Sequence, residues 1–176
     1  MHTRPLQHVP MIVLCALLGL GAASGSADVV FEVDLERSEL RVVASGVRGP
    51  SFRVATGSPQ HPTPIGDFKV ARWIGNPTYT PGPEARRRGA LPMGASEEGP
   101  LGFAKMPFFK AFQVHGGASR YAIGIPSTLG CVQLTNDAMR ELSHWLADSG
   151  ILDQGTVSAQ GERIHAFVRP AVIRIR

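Results

Sequence analysis

The stretch VVFEVDLERSELRVVAS, residues 29–45, alternates between apolar and polar positions, is rich in valine, and is broken once by the polar Glu36-Arg37-Ser38. Alternation of period two on both sides of a short polar break predicts two strands joined by a tight turn. SFRVATG predicts a third strand ending at Gly57 and DFKVARWI a fourth. Between them lies SPQHPTPIG, where Pro62, Thr63, Pro64 and Gly66 describe a rigid connection, because proline fixes its own φ and keeps the preceding residue extended. From Gly75 to Pro107 no period persists and proline and glycine are dense. Loops this long inside compact domains usually serve function, so residues 75–107 are expected to form a lid or a groove wall. Their run Arg86-Arg87-Arg88 reads as a solvated charge cluster, with a grip on carboxylates as the alternative.

Beyond the loop, FQVH is a strand ending at His115, and TNDAMRELSHWL has helical spacing, with Met139, Leu142, Trp145 and Leu146 on one face. Thr135 or Asn136 suits the N-cap and Gly150 the C-terminal stop. TVSAQ, ERIHAFV and AVIRIR return to alternation as strands, punctuated by Gly161 and Pro170. These elements sum to a mainly β, β-sandwich-like fold of mixed sheets, with one helix after Cys131.

The first 27 residues change the picture. Arg4 precedes an apolar run from Val9 to Leu20, and small residues follow as far as Ala27, the layout of a cleaved secretory signal peptide. The run is shorter than the roughly 20 residues that span a bilayer, so no stable membrane span is expected after cleavage. Residues 28–176 then form a single domain. Of the two cysteines only Cys131 survives, which excludes an internal disulfide. Loss of Arg4 takes the net charge from +4 to +3, and without a basic arm nothing favours nucleic acid.

A nucleophilic cysteine acts as its thiolate, so a neighbour must take the proton or stabilise the anion. His61 in a turn, His144 off the apolar helix face and His165 in a late strand read as solvated or structural. His115 differs, because Gly116-Gly117 follow it and let the backbone turn sharply. Cys131 follows Gly130 and precedes the helix, whose positive end is expected to lower its pKa. The N–H groups of Gly130 and Cys131 suit an oxyanion. The competing reading of Cys131 is a small buried hydrophobe. Too few Cys and His remain for a structural metal site, so neither metal nor cofactor is expected.

His115-Gly116-Gly117, followed by Ser127-Thr128-Leu129-Gly130-Cys131-Val132-Gln133-Leu134, resembles the signature of the L,D-transpeptidase catalytic domain, or YkuD domain. Upstream, VDLERSELRVV is similar to that family's first hairpin, VATG to the strand end after it, and PTPIGDFKV to its turn and strand, so the resemblance runs over roughly residues 29–158. It implies a periplasmic or cell-envelope enzyme acting on peptidoglycan stem peptides. Cys131 would attack the carbonyl between the third residue and the terminal D-amino acid, and His115 would be its base, oriented by the carbonyl of Gly116 or Gly117. The acyl group would pass to an amine, for cross-linking, D-amino acid exchange or attachment to an envelope protein. Ser127, Thr128 and Gln133 would meet the substrate. Two positions depart from the family's pattern: Leu129 stands where a histidine is common, and Gln133 where an arginine is. These departures keep two alternatives in view, an L,D-carboxypeptidase on the same fold and a non-catalytic peptidoglycan binder. A papain-like peptidase is disfavoured, since there the cysteine precedes the histidine.

Overall fold

The computed structural model describes residues 28–176, and the expected signal segment, residues 1–27, lies outside the described residues. Its strands and helices in chain order are β1 (Val29–Asp34), β2 (Glu39–Ala44), β3 (Val47–Arg53), β4 (Thr56–Gly57), β5 (Gly66–Gly75), α1 (Pro83–Arg87), β6 (Ala104–Phe109), β7 (Phe112–His115), β8 (Pro126–Thr128), β9 (Val132–Gln133), α2 (Asn136–Asp148), β10 (Thr156–Val157) and β11 (Arg163–Ile175). Nine strands form one mixed sheet with the path β3-β2-β1-β11-β5-β6-β7-β9, β10 pairing on β11, while β4 and β8 form a small parallel pair. The fold is thus mainly β with its longer helix after Cys131, as the alternation predicts.

β1 and β2 pair from Val29↔Ala44 to Asp34↔Glu39, and their turn is closed by Arg37 N–H donating to Asp34 Oδ1 at 2.9 Å. The alternation buries Val29, Phe31, Val33, Leu40 and Val42 on one face. The third strand starts at Val47, earlier than expected, and its extension breaks before β4. The two strands expected either side of Pro170 are one strand, β11, whose register against β5 shifts between Ala166 and Ala171. Proline has no N–H to give a ladder, so it sits where the irregularity asks for none.

The sheet curls. Beyond β3, Ala55 reaches the far end at β9, where Ala55 N–H donates to Gln133 O at 2.9 Å and Gln133 N–H to Ala55 O at 2.8 Å. Met139, Leu142 and Leu146 of α2 cover the core cluster. Trp145, expected on the same face, is half-buried and lies over Gly49 of β3, where a Cβ would come within 2.6 Å of the indole. The α2 N-cap is Thr135, whose Oγ1 accepts from Ala138 N–H at 3.2 Å. Among the described residues no helix is long and apolar enough to cross a membrane.

Candidate active site

β7 and β9 are short parallel neighbours with Val114 opposite Val132 and His115 opposite Gln133. Because side chains alternate along a strand, Val114, Val132 and Leu134 enter the core, and Gln113, His115, Cys131 and Gln133 share the other face. That register brings together the residues singled out at either end of the stretch 112–134.

His115 is only 3% exposed. Its Nδ1 lies 2.8 Å from the Gly116 carbonyl oxygen, one of the two carbonyls expected there. A carbonyl only accepts, so Nδ1 carries the proton and Nε2 presents a lone pair. Gln133 Nε2 lies 3.3 Å from His115 Nε2 and is therefore its donor. Burial depresses the imidazole pKa to about 4, with the Gly116 hydrogen bond opposing and the Lys105 ammonium reinforcing the shift. The ring is neutral at pH 7.

Cys131 follows a turn that requires glycine. Gly130 has φ +105°, and a Cβ there would meet the Phe112 ring at 2.4 Å. The turn is closed by Thr128, whose Oγ1 donates to Cys131 O at 2.7 Å and accepts from Gly130 N–H at 3.1 Å. The Gly130 N–H expected to face an oxyanion is therefore already engaged, and Thr128, expected to meet substrate, shapes the turn through its hydroxyl and also lines the cavity beside Cys131. Ser127 is exposed, with its hydroxyl 3.4 Å from Ile125 O. Burial pushes the Cys131 thiol up, against a hydrogen bond from the Gln113 backbone. The expected depression by the helix is overturned because β9 separates Cys131 from α2 and burial dominates. The resting pair is thiol and neutral imidazole.

A cavity of about 500 Å³ opens on this face, lined by His115, Cys131, Gln133, Leu129 and, from the long loop, Tyr79 and Leu101. Part of the loop expected over 75–107 lines this cavity, but it holds α1 and a Tyr79↔Met93 bridge, and it ends where β6 begins at Ala104. The three arginines are engaged elsewhere: Arg86 Nε donates to Pro81 O at 2.9 Å, and Arg87 and Arg88 pair with Glu84. Glu84, rather than an arginine of this run, lines the cavity. A larger cavity, about 680 Å³, lies away from this face among paired charges such as Asp34, Arg37 and Arg176.

Two anchors hold the wall, and the sequence pattern signals neither. Thr78 donates through N–H and hydroxyl to Glu162 Oε1, both at 2.8 Å, and Lys105 Nζ approaches the same oxygen at 3.3 Å. Burial works against the Glu162 charge, but Thr78 and Lys105 outweigh it and hold the carboxyl below its ordinary range. The second anchor is Asn136, freed for it because Thr135 does the capping. Its Oδ1 accepts from Phe103 N–H at 2.8 Å and Gly117 N–H at 2.9 Å, and its Nδ2 donates to Glu97 O at 3.3 Å. Glu97 in turn pairs with Arg140 at 3.1 Å and Arg163 at 2.5 Å. Asn136 therefore ties the groove wall to the turn that carries the Gly116 carbonyl. His61, His144 and His165 take no part in the cavity lining, and His165 Nδ1 lies 2.9 Å from Asp153 O.

The family model for the L,D-transpeptidase catalytic domain matches residues 28–165. No curated protein matches the chain. Among solved structures, the catalytic domain of the E. faecium L,D-transpeptidase is similar at 19% identity and TM-score 0.51, covering 86% of this chain and 98% of its own. An L,D-transpeptidase from Stackebrandtia nassauensis gives 16% identity and TM-score 0.54, over 86% of this chain and 57% of its own. The L,D-transpeptidase LdtMt1, solved in complex with imipenem, gives 15% and 0.54, over 85% of this chain and 59% of its own. At these identities the structural likeness is one of fold, and this chain spans less than two thirds of the length of the latter two proteins.

Proposed function

Because the chain belongs to the L,D-transpeptidase catalytic domain family, we propose that it is a cysteine acyltransferase of the cell envelope acting on peptidoglycan stem peptides. The observation that carries this reading is the shared face of β7 and β9, where His115, with Nδ1 fixed by Gly116, and Cys131 line one cavity. Cys131 Sγ attacks the carbonyl between the third residue and the terminal D-amino acid as His115 Nε2 takes the thiol proton. The C–N bond then breaks, and the same proton goes to the departing amine. An incoming amine gives its proton to Nε2, attacks the thioester and restores the thiol. With the Gly130 N–H engaged by Thr128, the Cys131 N–H is the donor assigned to the oxyanion. A neutral imidazole facing a protonated thiol suits a transfer concerted with attack rather than a standing ion pair. The acceptor is a stem amine, a free D-amino acid or an envelope protein, reached in the periplasm through a signal peptide at residues 1–27.

Defined tetrapeptide muropeptides incubated with wild type and Cys131→Ala test this reading by mass spectrometry. Wild type is expected to release the terminal D-amino acid and form a new amide, and to take a covalent carbapenem adduct on Cys131. The variant does neither. Shortened stems without cross-links or exchange would make the protein a carboxypeptidase. Equal binding by both proteins, with no release by either, would make it a binder.

A further inference from the structure

Both ring nitrogens of His115 are occupied in the free protein. Nδ1–H donates to Gly116 O at 2.8 Å, and the Nε2 lone pair accepts from the Gln133 amide at 3.3 Å. Among the described residues, no hydrogen bond joins Cys131 to His115. Gln133 reaches the ring because its backbone is pinned on two sides, by Ala55 through a reciprocal pair of hydrogen bonds and by its register with His115. Its side chain is not pinned in the same way. It lines the cavity beside Cys131, and 3.3 Å is at the long, weak end of the range for an N–H donor.

An imidazole lone pair accepts one hydrogen, so the Gln133 amide and the Cys131 thiol compete for the same site. We propose that Gln133 is a positioning residue that holds the His115 Nε2 lone pair in the free protein and yields it to the Cys131 S–H when a peptide enters the groove. For the chemistry after the exchange, the inference rests on the acyl-transfer reading. A peptide backbone supplies the exchange partner, since its carbonyl accepts the amide N–H and its N–H donates to the amide oxygen. The consequence is a thiol kept protonated and unassisted until a peptide is present, which suits the one cysteine that would remain after removal of residues 1–27 in an oxidising compartment.

The test compares wild type with Gln133→Leu, in which bulk is kept and the donor removed, with no acyl donor present. Alkylation of Cys131 by iodoacetamide at pH 7 is followed by peptide mass, and the His115 ring nitrogens by 15N NMR. The variant is expected to alkylate about three- to tenfold faster, the range one net hydrogen bond allows. Its His115 Nε2 resonance is expected to move towards that of an unbonded imidazole nitrogen. An unmoved Nε2 resonance, or alkylation no faster than wild type, overturns the proposal. Gln133→Asn, whose amide is one methylene too short, takes the same two measurements if the leucine variant does not fold. Neither readout involves peptidoglycan, so a failure to turn over muropeptides sinks the acyl-transfer reading and leaves this result standing.

Discussion

The two ends of the sheet are built differently. At one end β1, β2 and β11 run in long ladders, five or six residues in register, and bury Phe31, Val33 and Leu40 almost completely. At the other, β7 and β9 share two paired positions, and β4 and β8 are linked by a broken register of two more. There the backbone groups that a ladder would satisfy are met by side chains: Thr63 Oγ1 accepts from Gly57 N–H at 2.8 Å, Thr128 closes the Gly130 turn, and Asn136 takes two N–H groups. Long ladders give stability, and the hollow beside them is lined by charges that pair with one another. Short ones leave a face where His115 and Cys131 line one cavity, held by a few replaceable hydrogen bonds.

That contrast is open to direct attack, beginning where the effect is largest. Phe31→Ala, deep in the long ladders, is expected to cost about 4 kcal/mol of unfolding free energy in denaturant melts, while the folded fraction keeps its rate of carbapenem acylation. Acid acts instead through the short end. The His115 pKa falls from 6.5 to about 4 on folding, so the neutral ring stabilises the fold above pH 6.5, and that stability is lost as the pH drops towards 4. The loss is about 3 kcal/mol, and melts repeated in His115→Gln should not show it. The same shift places the acid limb of the acylation rate near pH 4 rather than near 6.5. Asn136→Ala removes one acceptor from two backbone N–H groups and is expected to cost about 2 kcal/mol, with acylation slowed at least about tenfold because the Gly116 carbonyl loses its support. Smallest is Thr128→Val, at about 1 kcal/mol, seen as a raised rate of amide exchange at Gly130 more than as a shift of the melt.

The same contrast explains how much of the molecule is legible in its sequence. The hairpin of β1 and β2, the helix α2 and the strand before His115 are written in periodicity, and periodicity reports burial, which dominates there. The pairing of His115 with Cys131 is readable only as an order of residues, because the register that sets it belongs to β7 and β9, too short to show a period. Proline and glycine announce the wall formed by residues 76–103, but not its fasteners. Glu162 lies 84 positions from Thr78, and Asn136 resembles a simple helix cap until Thr135 is seen to do the capping. The thiol pKa goes the other way from its expectation for a related reason: sequence shows the nearby helix but not the depth of burial that outweighs it. Pro170 misleads in the opposite sense, since a residue with no N–H for a ladder is absorbed within one strand by a bulge.

That bulged strand is also the last strand in chain order and the one most distant in sequence from its partners. β11 pairs with both β1 and β5, so residues 163–175 join the strands β1 to β3 to the strands β5, β6, β7 and β9, whose other link by pairing is the single Ala55↔Gln133 bridge. Their partners lie more than a hundred positions earlier in the chain for β1, and nearly as many for β5. The architecture is therefore one of high contact order, slow to close. Until β11 is in place, β1 and β5 each present an unpaired edge, open to pairing with the wrong neighbour.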